Sequence, residues 1–388
     1  MKIAWFSNAP WFPTGYGTQT ALVVPRIRDL GHEVTLIANC GVEGSCLAWD
    51  GMQIYPKCPH GDPTKYLQYV ASRIKPDIFI TLYCAWMLKA KMFQPRWVPW
   101  TMIDREPQPD MVLEQIKESF LPISCSKFGE RICDKNKIDN AYVPLAVDTK
   151  VFKSRMRSDA RAAIGLPPDP FIIGVVADNK GYPNRKAIPQ EIQAFAKFHA
   201  EHPNSMMFLH TCADQGRGSF DLIPLIKHLG IEDAVKFSDQ DMYKLGMEKE
   251  YLVNGYNAMD VLVNVSMDEG FGLTLLEAQA CGTPVIAGDW TAMPDIVFGG
   301  ITISKDEAEP FWNPTGGYQY MPHVDAIHKA YEKMYRSRAA GPDYARRTRA
   351  GALDYDIDVV MEKYWTPCLD RLERMVAETP TFEKAITE

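Results

Sequence analysis

The sequence has no long apolar run, no Cys-x-x-Cys pair and no excess of positive charge. Every apolar stretch is shorter than the roughly 18 residues that a membrane helix needs. Met1 and Lys2 lead directly into a strand-like run, so we expect no signal peptide. Nine scattered cysteines without histidine partners are typical of free thiols in a reducing compartment. We therefore expect a cytoplasmic protein without stable membrane insertion.

Signals for nucleic-acid and metal binding are equally sparse. The net charge of −7 argues against a protein devoted to nucleic acid, which ordinarily presents a basic surface. The eight histidines show no ligand spacing such as His-Glu-x-x-His. Asp-x-Asp patterns occur at 239–241 and 354–358, but Asp356 or Asp358 is most simply a helix N-cap. We expect neither a metal nor a cofactor.

What the sequence does have is an alternation of strand-like and helix-like runs from its first residues. A strand at 2–6, a helix at 18–30 and a strand at 33–38 make a βαβ unit, whose right-handed crossover builds a parallel sheet. The pattern therefore predicts an α/β protein. Further strands are predicted at 77–83, 97–103, 121–124 and 141–144.

The alternation stops after residue 152 and then restarts. Residues 153–170 are charged and contain prolines, which is typical of a linker. A chain of 388 residues is also long for one domain. Beyond the linker we predict strands at 171–177, 205–211 and 284–287 and a helix at 189–202. The predicted division is a first domain at 1–152, a linker at 153–170, a second domain at 171–357 and a C-terminal helix at 358–388.

The most informative motif is the acidic, glycine-rich run Asp-Glu-Gly-Phe-Gly at 268–272, between a strand-like and a helix-like segment. Gly270 and Gly272 let the backbone approach a phosphate closely. The unpaired N–H groups at the helix start then face an anion, and the helix dipole assists. Glu269 in the loop and Glu277 in the second helical turn are expected to meet different parts of one extended ligand. The alternative is that both are ordinary helix acids.

The residues around this motif carry a resemblance to a known family. They are Tyr256 to Val263, Ser266, Glu269 to Gly272, Glu277-Ala278 and Cys281 to Ala287. This gap-free pattern resembles the donor-site signature of retaining glycosyltransferases of family 4. The resemblance implies the GT-B fold, in which two Rossmann-like domains with parallel sheets face each other across a cleft. It also implies a C-terminal helix that crosses back to the first domain.

The resemblance implies roles for residues of the second domain. Glu277 is expected to bind the ribose hydroxyls of a nucleotide-sugar donor, and Glu269 the transferred sugar. Lys186 matches the family's lysine, and Arg185 is a candidate for its arginine because a guanidinium can contact phosphate bidentately. For both basic residues the alternative is a solvated loop charge. The remaining expected donor contacts are Gly270, Phe271, Gly272, Leu273 and Thr274.

In the first domain the signals are weaker. Gly15 and Gly17 lie in the first βα loop, but Thr20 stands where the dinucleotide fingerprint needs its third glycine, so NAD binding is disfavoured. By resemblance this loop lies near the donor phosphates or the acceptor. Asp104 occupies the approximate place of a histidine that contacts the donor sugar in many relatives. It is either a catalytic contact or a simple turn acid.

The function that the resemblance implies is transfer of a sugar from a nucleotide-diphosphate donor, with retention and without a metal. The acceptor is unidentified: a glycan, a lipid-linked molecule, a small molecule or a modified DNA base. An aromatic and basic run at 86–97 is either a surface that approaches lipid-linked acceptors or part of the core. The alternatives are a glycosyltransferase acting on modified DNA bases and an inactive nucleotide-sugar-binding module.

Overall fold

A computed structural model of the protein describes residues 1–59, 63–88, 96–214, 220–337 and 341–379. The chain divides into two compact units. Unit 1 combines Met1–Ala146 with the segment that begins at Ile357, and unit 2 is Val147–Asp356. Among the described helices, none has the length and apolar character that crossing a bilayer requires. Most of the run at 86–97 lies outside the described residues.

Unit 1 is built on a sheet of eight strands within its described part, in the order β3-β4-β2-β1-β5-β6-β7-β8. Neighbouring strands are parallel except for the antiparallel pair β3 and β4. The strands are β1 (Lys2–Ser7), β2 (Glu33–Ala38), β3 (Leu47–Trp49), β4 (Met52–Tyr55), β5 (Ile78–Leu82), β6 (Trp97–Thr101), β7 (Ile123–Ser124) and β8 (Ala141–Tyr142). The helices before residue 147 are α1 (Gly15–Asp29), α2 (Pro63–Ile74), α3 (Asp110–Lys117) and α4 (Lys127–Lys135).

The strands predicted for unit 1 agree with the structure to within two residues, but two features differ. Helix α1 begins three residues earlier than predicted, because the Thr14 hydroxyl caps it by accepting from the Gly17 N–H at 3.2 Å. The hairpin of β3 and β4 is not among the predicted elements. Its two-residue turn, Asp50-Gly51, has positive φ at both positions, as such turns require.

Unit 2 is built on a parallel sheet of six strands in its described part, in the order β11-β10-β9-β12-β13-β14. Its strands are β9 (Phe171–Val176), β10 (Ser205–His210), β11 (Val235–Phe237), β12 (Val261–Asn264), β13 (Val285–Gly288) and β14 (Gly300–Ile303). Its helices are α5 (Arg157–Ala163), α6 (Ile188–Glu201), α7 (Ile223–Leu229), α8 (Gln240–Leu245), α9 (Lys249–Ala258), α10 (Leu273–Ala280), α11 (Val324–Ser337) and α12 (Gly341–Leu353).

A separate antiparallel hairpin follows the last strand of this sheet. It consists of β15 (Ala308–Trp312) and β16 (Tyr318–Pro322), which pair over five residues each. The backbone N–H of Tyr320 donates to the carbonyl of Met267 at 2.9 Å. The hairpin, which is not among the predicted elements, is thereby attached to the segment that precedes the Asp-Glu-Gly-Phe-Gly turn.

The residues at 153–170, predicted to be a linker, are instead part of unit 2. Helix α5 lies within them and buries Arg161. This guanidinium donates to the carbonyl of Ala258 at 2.9 Å and pairs with Asp260 at 2.8 Å. A linker would leave its charged residues in water, whereas this segment uses one of them to fasten itself to α9 and the residues that follow it.

The described part of the predicted C-terminal helix lies in unit 1. It consists of α13 (Ile357–Val360), a π-helical turn at Met361–Trp365 and α14 (Thr366–Glu378). The Trp365 ring is completely buried, with its centroid 5.9 Å from that of Trp5 and 4.9 Å from that of Trp100. Aromatic pairs at such distances attract each other beyond the area they bury.

Candidate functional site

The turn between β12 and α10 has the geometry of an anion site. Gly272 precedes the helix at φ +99°, a left-handed conformation that strains any residue with a Cβ. The first N–H groups of α10, beginning at Leu273 and Thr274, have no partner within the helix and lie at the positive end of its dipole. Phe271 is buried against Tyr355, with ring centroids 6.0 Å apart, so its side chain serves packing.

Glu269 and Lys186 form a nearly buried ion pair beside this turn. The Lys186 Nζ donates to Glu269 Oε1, and the Ser266 hydroxyl donates to the same oxygen at 3.1 Å. Burial and the neighbouring charge of Arg185 lower the pKa of Lys186. Burial raises the pKa of Glu269, but the charges of Lys186 and Arg185 outweigh it and hold that pKa below its usual value. The carboxyl is therefore an anion at neutral pH.

Arg185 and Asp268, which immediately precede Lys186 and Glu269 in the chain, form a second acid–base pair. One terminal nitrogen of Arg185 donates to the Asp268 carbonyl at 2.7 Å and to its Oδ1 at 2.9 Å. Asp268 is completely buried, whereas 37% of the Arg185 side chain is exposed. A guanidinium that is held by a buried carboxylate and is still more than a third exposed can present its charge to a ligand.

Two asparagines of the preceding loop explain why the basic residues lie here. Asn179 lies three residues after β9 and is completely buried, and it donates to the carbonyls of Cys212 and Phe220, both at 2.8 Å. Asn184 donates to the Asn179 side-chain oxygen at 2.7 Å. Asn184 thereby links the buried amide of Asn179 to Arg185, the residue that follows it in the chain.

Glu277 lies in the second turn of α10 and is 6% exposed. The Tyr256 hydroxyl donates to its Oε2 at 2.7 Å. Burial raises the pKa of Glu277 to about 7, although the hydrogen bond from Tyr256 and the charge of Lys249 lower it. Its carboxyl is therefore partly ionised at neutral pH.

Glu191, a residue that the sequence reasoning missed, is a buried carboxyl on α6. Its Oε1 accepts from the Val265 N–H at 3.3 Å, and its Oε2 has no hydrogen-bond partner among the residues that the structure describes. Burial raises the pKa of Glu191 to about 8, against the charge of Lys186. The sequence signal was a glutamate on the helix face that also carries Ile188 and Ile192.

Most of unit 2 is similar to a family of known enzymes. Residues 156–302 match the family model described as Glycosyl transferases group 1. This segment of unit 2 is similar to group 1 glycosyl transferases. The segment with the Asp-Glu-Gly-Phe-Gly turn, the two acid–base pairs and Glu277 lies inside the matched residues. The resemblance to a glycosyltransferase family that the sequence predicts is confirmed for these residues.

The curated relatives include glycosyltransferases that are named for a specific acceptor. The D-inositol 3-phosphate glycosyltransferase of Mycolicibacterium smegmatis is 34% identical over 172 residues, which cover 44% of this chain and 36% of that protein. The protein of the same name from Corynebacterium jeikeium is 33% identical over 266 residues, covering 53% of this chain and 61% of that one. The alignments thus span less than two thirds of either relative.

Solved structures match nearly the whole chain. Sucrose-phosphate synthase from Thermosynechococcus elongatus superimposes with a TM-score of 0.75 at 18% identity, covering 98% of this chain and all of that one. Anabaena HepE in complex with UDP-glucose gives a TM-score of 0.68 at 15% identity, again covering 98% and 100%. The predicted α/β fold class of GT-B type, with two Rossmann-like units, is confirmed.

The three candidate residues outside the matched segment belong to unit 1. Gly15 begins α1, and Gly17 lies in its first turn, where an added Cβ would be 2.2 Å from the Phe12 carbonyl oxygen. Gly17 is therefore required by local packing whatever else it does. Asp104 follows β6, with Oδ1 3.8 Å from the Arg105 Nε and about a third of its side chain exposed. These three residues remain candidates for donor or acceptor contact.

The Asp-x-Asp patterns have structural roles in the described residues. Asp239 caps α8 by accepting from the Met242 N–H at 2.8 Å. Asp356 accepts from the Thr149 hydroxyl at 2.6 Å. Within the described ranges, the His, Cys, Asp and Glu side chains close enough to share a metal ion are Glu201, His202 and Glu332, at the opposite end of α6 from Glu191.

Proposed function

We propose that the protein is a retaining, metal-independent glycosyltransferase that uses a nucleotide-diphosphate sugar. The observation that carries the proposal is that one unit combines the start of α10 with two basic side chains and two carboxyl groups: Lys186, Arg185, Glu269 and Glu277. The structural neighbour bound to UDP-glucose supports a nucleotide-sugar donor. The names of the curated relatives make inositol phosphate the first acceptor to test.

In this proposal each residue acts on a different part of the donor. The Glu277 carboxylate accepts hydrogen bonds from the ribose hydroxyls, and the α10 N–H groups bind phosphate oxygens. Glu269 accepts from hydroxyls of the transferred sugar. Lys186, which Glu269 contacts, then lies at the sugar end of the donor, next to the distal phosphate, together with Arg185.

The reaction breaks the bond between the anomeric carbon and the distal phosphate oxygen. A bond from the acceptor oxygen forms on the same face of the sugar, and the acceptor proton passes to the departing diphosphate. Lys186 and Arg185 neutralise the charge that builds on this leaving group. Loss of one such preorganised contact typically lowers the rate by about 100-fold or more.

Thermal unfolding with UDP, GDP, ADP and their sugar conjugates tests donor binding. A ligand that binds only the folded protein stabilises it by about 2.7 kcal/mol at 100 times its dissociation constant. We expect one base to stabilise the wild type and to have little effect on Glu277→Ala. If folded wild-type protein responds to none of these nucleotides, the proposal is wrong.

Turnover tests the remaining parts of the proposal. With the donor identified, NMR of the product should show the anomeric configuration of the donor sugar, and EDTA should leave the rate unchanged. An inverted product contradicts retention, and a rate restored only by a divalent cation contradicts metal independence.

Asp104 in the place of the family's histidine favours a second candidate function, an inactive module that binds the nucleotide sugar. Nucleotide binding without turnover of any acceptor would support this second candidate.

A further inference from the structure

The hairpin of β15 and β16 contributes a side chain to the candidate donor site. Gln319 lies on β16, is 4% exposed, and donates from Nε2 to Oδ2 of Asp268 at 2.6 Å. Asn313, in the hairpin turn, donates to the Gln319 Oε1 at 2.8 Å. A carboxylate only accepts hydrogen bonds, so the donation from Asn313 keeps the amide nitrogen of Gln319 on the side of Asp268.

The Asp268 carboxylate therefore has a donor on each oxygen. Gln319 holds Oδ2 and Arg185 holds Oδ1, in a side chain with no exposed surface. A buried carboxylate oxygen without a partner is costly, so removal of the Gln319 amide would let the carboxylate turn toward other donors. Such a turn changes the direction in which the guanidinium of Arg185 is held, because this group is planar and rigid.

We propose that Gln319 is a positioning residue for Arg185, acting through Asp268 to aim the guanidinium at the distal phosphate of the donor. The inference rests on the proposed function, in which Arg185 and Lys186 meet the diphosphate. It adds that the hairpin outside the six-stranded sheet determines how strongly the second phosphate is bound.

The competing explanation is that the hairpin only packs against the turn. Two contacts that do not involve Gln319 also attach it: the Tyr320 N–H bond to Met267 and the contact of the Trp290 and Tyr320 rings, whose centroids are 5.9 Å apart. In that case loss of Gln319 would alter stability but would not discriminate between ligands with one and two phosphates.

Calorimetric affinities of the full chain for matched nucleotide pairs distinguish the two explanations. The pairs are UDP and UMP, GDP and GMP, and ADP and AMP, measured for the wild type, Gln319→Leu, Arg185→Ala and the double variant. We expect Gln319→Leu to weaken the preferred diphosphate by about tenfold, a size typical of coupled neighbours, and to leave the monophosphate nearly unchanged. In the Arg185→Ala background the same substitution should have no further effect.

Trp312→Ala is the matched control on the hairpin. Its ring is 54% exposed and packs on Tyr318 at 4.9 Å, so its loss weakens the hairpin without touching Asp268. Should Gln319→Leu fail to fold, Asn313→Ala takes its place. It removes the donor that orients the amide, together with the bonds that the Asn313 oxygen accepts from Thr315, and a smaller loss in the same direction is expected.

The outcomes separate the inference from the proposed function. Absence of binding of every nucleotide by wild-type protein refutes the proposed function itself. The positioning role alone is refuted if the wild type binds but Gln319→Leu binds the diphosphate as tightly as the wild type does. It is also refuted if this variant loses affinity equally for the monophosphate and the diphosphate. Additive losses in the double variant, or a Trp312→Ala loss as large as that of Gln319→Leu, refute it too.

Discussion

At the scale of single residues, the most consequential group is the Glu277 carboxyl. Its pKa is raised to about 7 by burial, against the hydrogen bond from Tyr256. Ribose hydroxyls donate hydrogen bonds, so the proposed nucleotide sugar binds the ionised form of the Glu277 carboxyl. Nucleotide binding therefore competes with protonation of this group. Binding should therefore weaken as the pH falls through 7.

The expected size follows from one-proton linkage. A group with a pKa of about 7 is mostly ionised at pH 8 and mostly protonated at pH 6, so wild-type affinity for the preferred nucleotide should be about tenfold lower at pH 6. Glu277→Gln should bind more weakly and lack this component, while any titration of the nucleotide phosphate remains in both proteins. Parallel pH profiles of the two proteins would count against the assignment.

Sequence reasoning found some of the clustered residues and missed others for a definite reason. Glu269 and Lys186 belong to motifs that a resemblance can match, and their functional roles stay predictions. Asp268 and Gln319 are 51 residues apart, and their contact exists only because an unpredicted hairpin returns to the turn. Polar residues buried by such long-range contacts have no periodicity of their own.

At the scale of elements, the π-helical turn after α13 contributes a fully buried tryptophan to the core of unit 1. Trp365 is fully buried against Trp5 of β1 and Trp100 of β6. Truncation to alanine should lower the free energy of unfolding by about 3–5 kcal/mol, since it removes a large side chain and leaves a cavity.

Chemical denaturation followed by circular dichroism measures this loss. Trp312→Ala is a suitable comparison, because that ring is largely exposed and its removal should cost about 1 kcal/mol or less. Equal losses in the two variants would show that Trp365 does not stabilise unit 1 as its burial implies.

Element prediction succeeded where burial made the pattern simple. Strands such as β1, β9 and β12 lie inside parallel sheets, are apolar on both faces and appear as short continuous apolar runs. The hairpins β3–β4 and β15–β16 have short or half-exposed strands of mixed composition. Their sequences therefore show neither the two-residue period of a strand nor the 3.6-residue period of a helix. The signal for the first was the Asp50-Gly51 dipeptide, which marks a tight turn.

At the scale of the whole molecule, the ends of unit 2 lie together. The Val147 N–H donates to the Tyr355 carbonyl at 3.0 Å, and Thr149 donates to Asp356. The group 1 domain match and the Glu277 site also fall within these limits. We therefore expect the excised fragment 147–356 to fold and to be stabilised by the same nucleotide as the full chain.

Thermal unfolding of this fragment with and without the nucleotide makes the measurement, and the fragment with Glu277→Ala serves as its control. A folded fragment that no longer responds to the nucleotide would show that residues of unit 1 are needed for binding. Gly15, Gly17 and Asp104 would then be the first to substitute.

The path of the chain also has a consequence for its synthesis on the ribosome. Residues 1–146 emerge first, but the ring that fills the space between Trp5 and Trp100 belongs to Trp365, which follows the whole of unit 2. At roughly 5–20 residues per second, translation of the intervening unit takes on the order of 10–40 seconds. During that interval the cluster of Trp5 and Trp100 lacks its third ring, whereas unit 2 is contiguous. Unit 2 can therefore complete its fold before unit 1, which is complete only when the segment that begins at Ile357 has been made.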